Sequence, residues 1–197
     1  MNTSDIFLNI ALSQIPRILG FLNNDSSSKT YGCFDRCYWH YKTIDFPNSR
    51  FQEASLSLAL AYSINTSENR FYNSALIRKW SLAGVNYWGR SRHKDGSTDE
   101  NYPFERHFCS TAFSLFAVTQ TLLLLEEGAE FNLGNTGKFL IRYNNCDVAN
   151  QMACAASALN NLYLLTGEDK YLAGSERKLK LLLDMQREEG YFMEYGG

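Results

Sequence analysis

Apolar residues along this chain recur at spacings of three and four and scarcely at two, the periodicity of helices rather than strands. The pattern predicts helices at about 4–22, 49–64, 70–88, 104–127, 134–144, 149–166 and 170–187, with Pro16 starting or kinking the second half of the first. Most connections are short, which favours antiparallel helical hairpins; the long exceptions are 23–48 and 89–103. The expected fold class is all-α.

The helices are of two kinds. EASLSLALAY, STAFSLFAVTQTLLLL and ACAASALNNLYLL are rich in small residues and apolar nearly all round, whereas the last helix carries Glu176, Arg177, Lys178 and Lys180. A helix apolar on every side is buried and an amphipathic one covers it. Inner and outer helices follow, the small residues of the inner set permitting close approach.

The chain also matches itself. Thr66 to Tyr72 aligns without a gap on Thr166 to Leu172, an offset of 100, each segment being read as the turn from an inner to an outer helix. Arg50, His107 and Asn150 then fall at equivalent entrances of three inner helices. Three loops share a glycine followed by charged residues and an aromatic: Gly32 to Tyr38, Gly96 to Tyr102 and Gly190 to Tyr195. The expectation is one domain over 1–197, with 1–30 a leading helix and linker and 31–197 three repeated helix pairs. Because the third loop reaches only Gly196–Gly197, where the repeat calls for another inner helix, the chain reads as about half of a closed ring of such pairs.

Composition narrows the function classes. Nineteen Lys+Arg stand against 21 Asp+Glu, giving a net charge of −2, so the clustered positive charge that nucleic acid demands is missing. The longest uninterrupted aliphatic run, Leu122 to Leu125, falls far short of a bilayer span. No basic region precedes the first apolar stretch as it would in an export signal. Five cysteines without a disulfide-framework spacing fit reduced thiols and a cytoplasmic location. Cys33, Cys37 and His40 form C-x3-C-x2-H but lack a fourth zinc ligand nearby. The segment Gly134 to Lys138 lacks the full phosphate-loop spacing. Neither a metal nor a cofactor is expected.

The run G-x-x-D-E-x-Y-P-x-E-R-x-F in Gly96 to Phe108, N-Q-x-A in Asn150 to Ala153 and the closing G-Y-F-x-E-Y-G-G resemble the (α/α)-toroid carbohydrate-active proteins. Within that group the resemblance is to the helical domain of heparinase II/III and alginate-lyase-like polysaccharide lyases, over about residues 30–197. It implies an incomplete (α/α) toroid of three hairpins and a leading helix, with a substrate groove where the inner helices begin. In lyases of that kind Asn, His or Arg neutralises a uronate carboxylate while Tyr or His moves protons. Positions with such chemistry near inner-helix starts are His107, Asn150, Arg50, His40, Tyr41 and Tyr102.

Arg50, His107 and Asn150 would converge at the mouth of one funnel, where fixed donors stabilise an enolate-like intermediate and an imidazole acts as base. Each residue alone reads better as a solvated or capping group at a helix start, and the trio equally well either way. Tyr38 and Trp39, beside His40 and Tyr41, offer faces for stacking on sugar rings; Trp39 reads at least as well as a plug burying its loop. Asp99, Glu100, Glu105, Arg106, Gln151, Glu194 and Tyr195 complete the candidate substrate contacts. Carboxylates recurring in every loop read better as salt bridges and caps, Glu100 or Glu105 to Arg106 among them. The function expected is a lyase cleaving a uronic-acid-containing polysaccharide by β-elimination. The alternatives are a glycoside hydrolase on the same scaffold, with two carboxylates astride the bond, and a non-catalytic module binding glycan or protein. A terpenoid-cyclase-type toroid lacks its Asp-rich loop or zinc trio.

Overall fold

A computed structural model describes residues 3–192, so Glu194 and Tyr195 lie outside the described residues. The elements in order are α1 (Thr3–Phe21), α2 (Arg36–Trp39), a 3-10 turn (Ser49–Glu53) running into α3 (Ala54–Ser63), α4 (Ala75–Ser91), α5 (Phe108–Leu125), α6 (Gly134–Arg142), α7 (Ala149–Thr166) and α8 (Asp169–Asp184). Among the described residues the only β-pairing is isolated bridges, Thr98 with His107 and Gln186 with Phe192. The chain is all-helical.

The three small-residue helices lie side by side: α5 packs against α3 on one flank and α7 on the other, while α4 backs α3 and α8 backs α7. Ala112, Leu115, Val118 and Leu122 of α5 meet Ala155, Ala158, Leu159 and Leu162 of α7, with Trp88, Leu140 and Tyr171 closing the core from the outer layer. A second apolar cluster joins α1 to α3 through Leu12, Ile15, Leu58 and Ala61. Outer helices bury one stripe: in α8 it is Tyr171, Gly174, Ser175 and Lys178, spaced i, i+3, i+4 and i+7.

On α5 and α7 deep burial is supported by polar side chains that find partners locally. Ser114, Thr119 and Thr121 each donate to the carbonyl one turn back, and Asn161 reaches across from α7 to Thr119 and Gln120 of α5 at 3.2 Å. By length and composition α5 is apolar enough to cross a bilayer, with a mean hydropathy of 1.7. It is instead the central core helix, flanked on both sides and 61% buried.

The loop repeat is a backbone repeat. Gly32, Gly96 and Gly190 have φ of 90°, 89° and 90°. The amides of Gly96 and Gly190 donate to His93 and Arg187, whose own amides bond Ser97 and Tyr191; Gly32 and Cys33 pair in the same sense with Asn23. A Cβ at Gly96 would lie 2.2 Å from the Thr136 amide nitrogen, and one at Gly32 would lie 2.0 Å from the Ala83 carbonyl oxygen. At Gly32 and Gly96 glycine is therefore required both for the left-handed turn and for the close approach to α4 and α6 respectively.

Two expectations are corrected. The 66–72 and 166–172 segments are not equivalent in space: α8 begins at Asp169 but α4 begins only at Ala75. Asn69 holds the intervening turn by donating 2.7 Å bonds to the carbonyls of Ala61 and Ile64, and Asn73 adopts φ 51°. Likewise α5 begins at Phe108 rather than 104, because Phe104 and Arg106 are left-handed, with φ of 62° and 52°.

Candidate functional site

The loop before α5 is tied by two carboxylates. Asp99 accepts the amides of Phe104 and Arg106, both at 2.9 Å, and lies 2.8 Å from His93 Nε2. Glu105 Oε2 accepts the amides of Glu100, Asn101 and Tyr102. These amides hold the Glu105 carboxyl below its ordinary range against the opposing effect of burial. Two non-glycine residues in the left-handed region are thereby locked in place, a strain of the kind that gathers at functional sites. The result is that Glu100 points at the helix entrance, its Oε2 3.1 Å from Nδ1 of His107.

Arg50 arrives at the same place through a polar seam. Asn48 caps the 3-10 turn by accepting the Arg50 amide at 2.9 Å, and Ser49 bonds the Asp99 carbonyl and the Thr98 hydroxyl. The Arg50 guanidinium then pairs with Glu53, donates to Cys109 Sγ at 3.3 Å and lies 4.3 Å over the Phe113 ring. Five groups from two repeats meet here: Arg50, Glu53, Glu100, His107 and Cys109. The carboxylate, imidazole and thiol donors of Glu100, His107 and Cys109 all lie within 4.8 Å of one another.

From this cluster a groove of about 470 Å³ runs over α3, α5 and α7, with Glu53 and Cys154 in its wall beside Leu56, Phe113, Phe116 and Ser157. Burial pushes the Glu53 carboxyl up, opposed by Arg50 and assisted by Glu100. It pushes the Cys109 thiol up too, against the Arg50 charge, and Cys154, beside Glu53, to about 12. For Arg50 the desolvation that disfavours its charge is outweighed by Glu53, so the guanidinium is held more firmly protonated. The arrangement offers a half-buried planar cation, an imidazole oriented by a carboxylate, and a carboxyl whose proton is retained above the usual carboxylate range.

Of the sequence-predicted residues, the structure brings Arg50, Glu100 and His107 together. Asn150 is the exposed residue on an otherwise buried first turn of α7. His40 and Tyr41 are exposed and meet edge to face, 4.9 Å between centroids, with Arg36 over Tyr41 and Trp39 beside His40. Trp39 donates to the Phe21 carbonyl at 2.8 Å, pinning this loop to the end of α1, and Lys42 lies over the Tyr38 ring. Tyr102 is 70% exposed on the strained loop. Asp99 and Glu105 spend their oxygens on backbone amides, and Arg106 pairs with Asp95 at the surface rather than with either glutamate. Gln151 is buried and accepts from Asn145, which fixes the α6–α7 connection. Cys33, Cys37 and His40 do not assemble, since Cys33 is fully buried while Cys37 and His40 are exposed.

Sequence reasoning missed Glu53 and Cys109. The available signals were Glu53 one helical turn beyond Arg50 and Cys109 two residues beyond His107, spacings too common to stand out without the loop that folds Glu100 over them. A larger cavity, about 800 Å³, lies elsewhere, at the C-terminal ends of α5 and α7 among Glu126, Glu127, Lys138, Glu168 and Lys170. It holds none of the predicted catalytic groups. No protein-family model matches the chain, and neither curated proteins nor solved structures give a match.

Proposed function

We propose that this chain is the helical part of a polysaccharide lyase, a portion of an (α/α) toroid that cleaves a uronic-acid-containing glycan by β-elimination at the mouth of the α3–α5–α7 groove. The observation that carries the reading is the convergence of Arg50 and His107, from the entrances of two successive inner helices, on one cluster with Glu53 and Glu100. Arg50 pairs with the uronate carboxylate in place of Glu53, which acidifies the C5 proton and stabilises the enolate-like charge that follows. His107 takes that proton on Nε2 while Glu100 on Nδ1 holds the ring in place. The C4–O bond breaks as the C4=C5 bond forms, and the leaving oxygen takes a proton from Glu53. The products are a new reducing end and an unsaturated uronate. Exposed Tyr102, Tyr41 and Asn150, together with Tyr38 and Trp39, supply contacts to neighbouring sugar units. Five free thiols support an intracellular setting, beside glycan assembly rather than digestion of external polymer.

A specific observation favours glycoside hydrolysis as the second reading: two carboxyl groups, Glu53 and Glu100, sit in the same cluster, the arrangement an acid–base pair needs. One assay separates the two. Uronate-containing polymers incubated with the protein gain the ultraviolet absorbance of an unsaturated uronate if elimination occurs, and new reducing ends without it if hydrolysis does. Binding with neither product leaves a glycan-binding module.

A further inference from the structure

Glu100, His107 and Cys109 present one carboxylate, one imidazole and one thiol from two directions, a loop and the start of α5. We infer that these three residues form a binding site for a zinc-type divalent cation with one open coordination position, and that its occupancy and proton abstraction by His107 exclude one another. Nitrogen, sulfur and oxygen donors together suit zinc and its borderline neighbours rather than calcium or magnesium. Metal bonds of about 2.0–2.3 Å place tetrahedral donors about 3.3–3.8 Å apart. The separations here, within 4.8 Å, need side-chain rotation of only about 1 Å to close.

Charge supports the same occupant. Arg50, paired with Glu53, is the guanidinium at this cluster, so the Glu100 carboxylate and the Cys109 sulfur, which loses its proton on metal binding, are left for a divalent ion to balance. Arg50 keeps its pairing with Glu53 and releases the Cys109 sulfur, and the thiol proton leaves to solvent as the metal–sulfur bond forms. The imidazole lone pair that would take a substrate proton is then committed to the metal or locked beside it. Only the activity arm of the test rests on the lyase reading.

The test titrates the full chain with cobalt(II) under a phosphine reductant. One equivalent should bind with visible tetrahedral bands and a near-ultraviolet thiolate-to-cobalt charge-transfer band, both displaced by zinc. The near-isosteric Cys109→Ser should lose the charge-transfer band with an unchanged helical circular dichroism spectrum, and His107→Gln should weaken binding by more than about tenfold. Cys37→Ser, which alters an exposed thiol, should bind like the parent. Absence of the bands in the parent, their survival in Cys109→Ser, or their loss in Cys37→Ser overturns the site. In the elimination assay, zinc should depress turnover of the parent but not of Cys109→Ser; equal turnover with the cation bound overturns the exclusion. A protein that binds cobalt as described yet forms no unsaturated product contradicts the lyase reading alone.

Discussion

Gln52 is 1% exposed and ties three segments together. Its Oε1 accepts the Phe34 amide at 2.8 Å, and its Nε2 donates to the carbonyls of Gly32 and Gly84, both at 3.0 Å. Gln52→Leu preserves the volume and removes all three bonds. The Gly84 carbonyl lies within α4 and keeps its helical partner, whereas the Phe34 amide and Gly32 carbonyl lose their partner in the core. At about 1–3 kcal/mol for each buried group left unsatisfied, offset in part by the added apolar burial, the expected loss is about 3 kcal/mol. For a chain of this size that lowers Tm by about 6–12 °C. Urea unfolding followed by circular dichroism measures it, with an unchanged m-value showing that only stability moved. Gln52→Glu sharpens the case: it keeps the acceptor for Phe34 but turns a carboxylate oxygen toward two carbonyls. Its loss should exceed that of the leucine variant at neutral pH and shrink as acid protonates the carboxyl. A loss below about 1 kcal/mol in Gln52→Leu would refute the claim that this side chain organises the loop.

Three further outcomes follow from the same reasoning. Gly96→Ala should cost more than about 2 kcal/mol, read by the same unfolding assay, because it meets both a left-handed φ and the Thr136 backbone; a neutral result would mean the turn is adaptable. Glu126 ends α5 at φ 54° where α7 uses Gly167 at φ 70°, so Glu126→Gly should stabilise by about 0.5–1 kcal/mol in thermal melts. Burial lowers the Lys178 ammonium to about 8 although it donates to the Tyr143 carbonyl and Asn144 Oδ1. Between about 8 and its ordinary 10.5 the unfolded chain binds more protons at this site than the folded one, so its contribution to stability rises with pH. The stability difference between parent and Lys178→Met should grow in the parent's favour across that window; a flat difference would contradict it.

The helical periodicity made the inner and outer layers legible, because Ala- and Ser-rich helices can be buried only where neighbours come close. The glycine of each loop was legible for the same kind of reason: few other residues tolerate φ near 90°, and at Gly32 and Gly96 a neighbouring backbone leaves no room for a Cβ. Helix starts were harder. Arg70 to Asn73 and Phe104 to Arg106 have helix-compatible composition, and only the side chains of Asn69, Asp99 and Glu105, acting across several residues, take them out of the helix. The repeat warned that Asp99 serves the fold, as does Asp35, which is fully buried and accepts the amides of Cys37, Tyr38 and Asn48. Glu100, its immediate neighbour, points to the site instead. Side-chain direction in an irregular loop depends on that hydrogen-bond pattern, which no spacing rule encodes. Glu53 and Cys109 became visible only once the Ser49–Thr98 seam had joined the two repeats.

The central claim is tested most directly by ultraviolet absorbance of uronate-containing polymers incubated with the full chain, His107→Ala and Arg50→Gln. The account predicts the chromophore of an unsaturated uronate with the parent, reduced by about 10²–10⁴-fold in His107→Ala and about 10²–10³-fold in Arg50→Gln. Chromophore formation undiminished in both variants, or new reducing ends without any chromophore, would contradict it.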